Sequence, residues 1–434
     1  MAAILRYLLL SALMIMGSGK ALAEETLTLN QALQAALDHN PDLKREEAEL
    51  ARAKGDKQSL GALLPSPPRL GVTGETDAAF GNEGEYAIEA SLSQELEIGG
   101  QRGLRRKIGA LELDKATKRL EWTQHQVRLQ VKQAFYRLLY LQERETVLAR
   151  LAASNRDLAR LASTRETQGT LTAFDRNLWA IEDTTSDAEL KGVQAEQADA
   201  RSTLAQLLGS ESLLGRVSGT WPSQFTIPSK EELVSLALSD RADLKQLTLD
   251  MAQKDTAYRL SKRARIPNPE FSVGYIRGRD KIGQDEFSGD PAVIGGISGV
   301  TLQDEKLLFG VSIPLPVVSG QKGEVAKTKA EAQKSAYEKA GLERQIKQQV
   351  EAFHARLLLS RDVVARYQGR SAIDADLAAL NTAYQSGNVD VATFLNYRDR
   401  LMKAKLDALS AKWVLLEALT SLELASGKNL EGNL

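Results

Sequence analysis

Cysteine is missing from this 434-residue chain, which excludes a disulfide framework, a thiolate metal site and a lipid anchor on an N-terminal cysteine. Aromatic residues are scarce at 5 %, a bias that suits long helices packed through narrow seams. The formal charge is −1, so no positive excess points to nucleic acid. No run of 18 or more apolar residues follows residue 23, so no transmembrane helix is expected, and only a β-barrel could span a membrane. The three histidines, His39, His125 and His354, share no ligand spacing and read as packing or surface residues. Five methionines give no thioether ladder for a soft metal. Acidic pairs such as Glu46-Glu47 and Glu231-Glu232 read as solvated helix faces. No nucleophile–base set or phosphate-cradling loop stands out, so neither an enzyme nor a cofactor is expected.

What is present begins with a secretory pattern in residues 1–23. Arg6 precedes the apolar run Tyr7 to Met16, and Ala21-Leu22-Ala23 is a small-x-small cleavage site. Further on, Leu104 to Gln168 contains no proline and one glycine, Gly109. Leu113, Leu120, Val127, Ala134, Leu141 and Leu148 recur seven apart. Thr117, Gln124, Val131, Leu138, Glu145 and Ala152 fall between them in 4-3 spacing. This heptad seam predicts one helix over 104–168, roughly 100 Å long at 1.5 Å per residue, which must pack along other rods.

Two strands are expected at about 69–76 and 85–97. Tyr86, Ile88, Ala90, Leu92 and Leu96 alternate with Glu85, Glu89, Ser91, Ser93, Glu95 and Glu97, giving one apolar and one wet face. A soluble sandwich and a membrane barrel both produce that pattern. Gly81, Asn82 and Gly84 supply the turn. Gly99 to Gly103 leads into the long helix, and a helix over 172–208 follows it, capped by Gly209.

The chain then repeats itself. Ala36 to Lys44 answers to Ala237 to Lys245, Pro65-Ser66-Pro67 to Pro267-Asn268-Pro269, and Gly99-Gly100-Gln101-Arg102-Gly103 to Ser319-Gly320-Gln321-Lys322-Gly323. Gly169 and Gly209 lie 40 apart, as do Gly387 and Gly427. The division is therefore a first repeat over 24–209, a surface link over 210–229, a second repeat over 230–427 and a tail over 428–434. The second repeat holds strands at about 270–277 and 307–317, a long helix over 323–386 seamed by Ile346, Val350, Phe353, Leu357, Val364 and Tyr367, and a helix over 390–426. A long polar loop is expected over Gly278 to Gln303. Four strands cannot close a barrel, but three chains would supply twelve, with all helices on one side of the membrane.

These residues resemble the TolC family of outer-membrane channel proteins over essentially the whole chain after residue 23. Leu64-Pro65-Ser66-Pro67, Ile266-Pro267-Asn268-Pro269-Glu270, Glu95-Leu96-Glu97-Ile98-Gly99-Gly100-Gln101-Arg102 and Ile313-Pro314-Leu315-Pro316 are similar to the CzcC-like branch, which serves heavy-metal RND efflux pumps. The resemblance implies a mainly α fold with a transmembrane β-barrel. It would be a TolC-like homotrimer with a 12-stranded barrel in outer-membrane lipid and a long α-helical periplasmic tunnel. Its partners would be a periplasmic adaptor protein and an inner-membrane RND transporter. The cargo would be heavy-metal cations, with organic drugs or a protein secreted by a type I system as alternatives. A non-conducting periplasmic coiled-coil adaptor is the rival of another class. It would have one hairpin flanked by split β domains, against two hairpins and two strand pairs here.

The resemblance also implies site residues. The tips that an adaptor meets would be Gly169, Thr170 and Leu171, with Gly387, Asn388 and Val389. A glycine between helices is otherwise simply a turn. The family's acidic ring lies six and nine residues after the second tip glycine, where this chain has Thr393 and Asn396, with Asp390 the nearest acid. Asp175 and Tyr384 match positions of the family's closing network, whose arginine position holds Val389.

Overall fold

The computed structural model describes residues 26–80, 85–210, 215–222, 225–282, 300–315, 321–368 and 373–431. The expected secretory segment 1–23 and the turn at Gly81 to Gly84 lie outside the described residues. So do residues 432–434 of the expected tail. In chain order the helices are α1 (Leu29–His39), α2 (Pro41–Leu60), α3 (Gln101–Thr167), α4 (Ala173–Leu207), α5 (Lys230–Asp240), α6 (Ala242–Arg263), α7 (Gln321–Gln368), α8 (Ile373–Gln385) and α9 (Val391–Ser426). The strands are β1 (Arg69–Thr76), β2 (Tyr86–Glu95), β3 (Glu270–Ile282) and β4 (Val300–Ser312). The chain divides into two compact units. One comprises residues 47–120 and 242–343, the other residues up to 46, 121–241 and 344–434.

The first of these units holds an antiparallel sheet in the order β1-β2-β3-β4. Its register sorts side chains by face. Leu70, Leu92, Val273 and Phe309 form one cross-strand row, and Val72, Ala90, Tyr275 and Leu307 the next. On the opposite face the rows read Arg69, Ser93, Ser272, Gly310 and Gly71, Ser91, Gly274, Leu308. The large apolar face is exposed, with Phe309 at 81 % and Leu70 at 75 %. The small and polar face is tight, because a Cβ at Gly310 would come within 2.4 Å of the Ser272 hydroxyl.

Three strand ends depart from expectation by five residues or more. The segment expected as a polar loop over 278–303 instead continues β3 to Ile282 and starts β4 at Val300, with Arg279 paired to Gln303 and Lys281 to Thr301. Its remaining residues, 283–299, lie outside the described residues. Polar composition marked it as loop, but backbone hydrogen bonds to a neighbouring strand are indifferent to side-chain polarity. The expected strand 307–317 ends at Ser312, because Pro314 has no N–H to give the ladder.

The sheet meets its helices through a polar joint. Gln101 at the start of α3 donates to the carbonyls of Arg263 and Ile266 and to Asn268 Oδ1 at 3.1 Å. Asn268 in turn donates to Glu95 at 2.8 Å, and Arg105 grips Glu97 at 2.8 Å. The Glu95–Arg102 and Ile266–Glu270 motifs are thus two sides of one junction. Lys115 bridges Glu112 (2.7 Å) and Asp250 (3.2 Å), which ties α3 to α6.

In the other unit, α3 is buried over much of its circumference between Val127 and Gln142, a wider burial than a heptad seam gives. The reason is the segment expected as a surface link. Val217 pairs with Leu27 in a parallel bridge, Gly219 lies against Phe135, and Trp221 stacks near Tyr136 and donates to Glu143 at 2.9 Å. Those parts of 210–229 are a packed layer, not a loose link. Residues 211–214 and 223–224 lie outside the described residues. Glu145, a polar interruption of the seam, accepts from Gln194 and Gln197 of α4. The expected helix 323–386 is described as α7 and α8, with residues 369–372 outside the described residues.

The two halves of this unit use matching joints. Asn40 donates to the Leu207 carbonyl at 2.8 Å and Arg241 to the Ala425 carbonyl at 2.8 Å, each two residues before a capping glycine. Beside the second joint lies a buried ionic cluster. Lys132 contacts Glu423 at 2.8 Å and Glu431 at 3.0 Å, and all three side chains are under 10 % exposed. Burial and the Glu431 charge push the Tyr136 hydroxyl up to about 12. Burial raises the Glu431 carboxyl above its ordinary range and lowers the His125 imidazole, which rests on the Glu423 carbonyl.

Candidate functional site

Two helix pairs end in the same turn. After α3, Gly169 takes φ 71°, its N–H donates to the Glu166 carbonyl at 2.9 Å and the Thr170 N–H to Arg165 at 2.9 Å. After α8, Gly387 takes φ 78°, donating to Tyr384 at 3.0 Å, while Asn388 donates to Ala383 at 3.0 Å. Both are Schellman motifs, in which the left-handed residue is glycine because a Cβ is disfavoured there. Three residues beyond each glycine stands the N-cap of the next helix. Thr172 caps α4 and Asp390 caps α9.

The expected gate residues separate on inspection. Asp175 accepts from the Thr172 hydroxyl at 2.6 Å while its N–H donates to that hydroxyl. Asp390 and Thr393 form the mirrored arrangement, with the Thr393 N–H at 2.9 Å and its hydroxyl at 2.6 Å. Those bonds hold the Asp390 carboxyl below its ordinary value, so it stays charged at the helix N-terminus. Asn396 is exposed on α9. Gly169, Thr170, Gly387 and Asn388 are exposed, while Leu171 and Val389 are half-buried. Phe174 stands 70 % exposed beside the first turn.

Tyr384 is buried. It packs with Trp179 and Phe394, at centroid distances of 5.8 Å and 4.5 Å, in a cluster that also takes Ala162, Val391, Leu171 and Val389. The turns are therefore anchored on a shared apolar plug. Above it Arg398, 5 % exposed, has its guanidinium 5.8 Å from the Trp179 ring. It donates to Asn155 of α3 at 2.6 Å, to Glu182 of α4 at 2.6 Å and to Asp399 at 3.0 Å. Trp179, Phe394 and Arg398 were not singled out from sequence. The signal was there: Val391, Phe394 and Arg398 follow 3-4 spacing, which puts an arginine on an apolar seam.

Among the described residues no group of three or more histidine, aspartate or glutamate side chains could hold a metal, and no helix is long and apolar enough to cross a membrane.

Comparison with known proteins now bears on this arrangement. Residues 32–210 match the family model "Outer membrane efflux protein". The cobalt-zinc-cadmium resistance protein CzcC of Cupriavidus metallidurans is 23 % identical over 313 residues, covering 71 % of this chain and 68 % of that protein. The outer membrane channel CmeC of Campylobacter jejuni shares the fold with a TM-score of 0.74 at 14 % identity, covering 94 % of this chain and 87 % of CmeC. CusC, described with transmembrane channel formation, does so with a TM-score of 0.73 at 13 % identity over 92 % of each chain. Residues 32–210 thus match an outer-membrane efflux protein family, and the chain as a whole is similar to CzcC and shares the fold of the CmeC and CusC channels.

Proposed function

We propose that this chain is the passive exit duct of a tripartite RND-type efflux system, exporting heavy-metal cations. The sheet carries the reading. Its apolar side chains point outward and uncovered, and neither β1 nor β4 has a strand on its outer edge among the described residues. Unpaired edges are not tolerated in lipid, so the sheet needs further strands. Three copies would supply twelve strands, an even number in the range of bacterial barrels. From β4 into the residues that follow it, the exposed run Leu307, Phe309, Val311, Ile313 and Leu315 spans eight residue steps. At about 3.3 Å per step and about 40° tilt it covers roughly 20 Å, close to the height of a barrel's apolar band. The small and polar face would line the lumen, where a closing barrel leaves least room.

The helices would form the periplasmic tunnel, and the turns at Gly169 and Gly387 its tip. An adaptor would meet the exposed Thr170, Asn388 and Phe174. Energy would come from the inner-membrane transporter, and opening from small rotations of packed helices. Heavy-metal cargo is supported by the likeness to CzcC; drug or protein export are the alternatives. A strain lacking this protein should lose tolerance to divalent cobalt, zinc or cadmium and keep tolerance to organic drugs. The reverse pattern would reassign the cargo.

A further inference from the structure

Near the turns, each helix pair is a hairpin: α3 with α4, and α8 with α9. The aromatic cluster between them is apolar. Arg398 adds a polar contact. Its planar guanidinium sits on α9, and its two terminal nitrogens reach Asn155 on α3 and Glu182 on α4, each at 2.6 Å. Asn155 also donates to the Glu182 backbone carbonyl at 3.2 Å, so the two acceptors are fixed relative to one another. Asn155 is 1 % exposed and Arg398 5 %. Among the described residues, Arg398–Glu182 is the one ion pair that joins the two hairpins between residues 150–185 and 373–405. A forked, buried, charge-assisted contact is sensitive to displacement of a fraction of an ångström.

We propose that Arg398 is a positioning residue that locks the two hairpins of one protomer together and holds the channel mouth in its resting arrangement. The inference rests on the exit-duct reading. Movement of α8–α9 past α3–α4 must first pull the guanidinium out of the fork, leaving a buried cation with only Asp399 of its own helix as partner. The lock lies about 11 residues beyond Gly387, roughly 16 Å along α9 at 1.5 Å per residue, so it acts on the turn through the helix and not by lining it.

The test uses full-length protein extracted from the outer membrane and placed in planar lipid bilayers. Glu182→Gln keeps the shape and removes the charge, Arg398→Lys keeps the charge and removes the fork, and Glu196→Gln breaks only the exposed pairs with Arg137 and Arg144. Open-state occupancy should rise several-fold in Glu182→Gln and Arg398→Lys and stay at the wild-type level in Glu196→Gln. Hydrogen exchange over residues 166–176 and 383–394 should quicken in the same two variants. If Glu182→Gln keeps wild-type occupancy and exchange, or loses thermal stability with unchanged occupancy, the lock is refuted. A wild-type protein that conducts nothing would instead overturn the duct reading.

Discussion

Replacing Lys132 by Met should destabilise the protein in a strongly pH-dependent way. The ammonium is the shared partner of Glu423 and Glu431, at 2.8 Å and 3.0 Å, inside a layer where none of the three side chains exceeds 10 % exposure. Methionine keeps the apolar stem, so the packing loss is small and the electrostatic loss dominates. Two buried carboxylates without a cation will take up protons once that costs less than staying charged. At pH 7, protonating a glutamate of ordinary pKa near 4.3 costs about 3.7 kcal/mol, and at pH 5 about 1 kcal/mol, at 1.36 kcal/mol per pKa unit. That sets a ceiling for each group. Removing one partner of a buried pair typically costs about 3–5 kcal/mol, which falls within the ceiling for two groups. The expected penalty is thus about 3–5 kcal/mol at pH 7, falling to about 1–2 kcal/mol at pH 5. Denaturant unfolding in detergent can follow it by tryptophan fluorescence, because Trp122, Trp179, Trp221 and Trp413 all lie in the same compact unit. An equal penalty at both pH values, or one below about 1 kcal/mol at pH 7, would refute the reasoning.

Gly209→Ala should cost far more than Gly169→Ala. Both residues are left-handed, worth about 1 kcal/mol or more against alanine, but a Cβ at Gly209 would lie 2.3 Å from the His39 carbonyl oxygen, whereas Gly169 faces open space; melting temperatures should separate the two clearly. The same region should show opposing proton linkages. His125 has a lowered folded value, so the unfolded chain binds the proton more readily and stability falls as pH drops below 6.5; a His125→Gln variant should lose that dependence in acid melts. Glu431 has a raised folded value, so the folded chain binds the proton more readily and stability rises as pH falls toward 4.5; Glu431→Gln should therefore melt progressively lower than wild type on acidification through that range. Asp390→Ala removes the cap of α9, so exchange of the first α9 amides should quicken several-fold while cation preference of the pore declines; unchanged exchange would show that the cap bonds carry nothing.

Much of this fold could be read from residue spacing. The heptad seam located α3 to within three residues at each end, and strict alternation placed β1 and β2. Apolar alternation failed at β4, because Thr301, Gln303, Asp304, Glu305 and Lys306 are polar yet still pair through the backbone. Periodicity reports which face is dry and cannot report where a ladder continues beyond it. The turns at Gly169 and Gly387 were legible for the same reason that they form: only glycine takes that φ freely, and a capping residue follows at a fixed offset. Arg398 was hidden because its meaning lies in Asn155 and Glu182, more than 200 residues earlier, and no local pattern encodes a contact at that separation. The packed layer around Val217 was missed on similar grounds, since glycine and proline there signal turns irrespective of what the turns cover.

The central claim is that this sheet is one third of a closed barrel through which solute passes. Native mass of the detergent-extracted protein, taken on the same sample that is tested for conductance in a planar bilayer, addresses it most directly. A trimer that opens stable, uniform pores is the predicted result. A soluble monomer that leaves the bilayer sealed would contradict it.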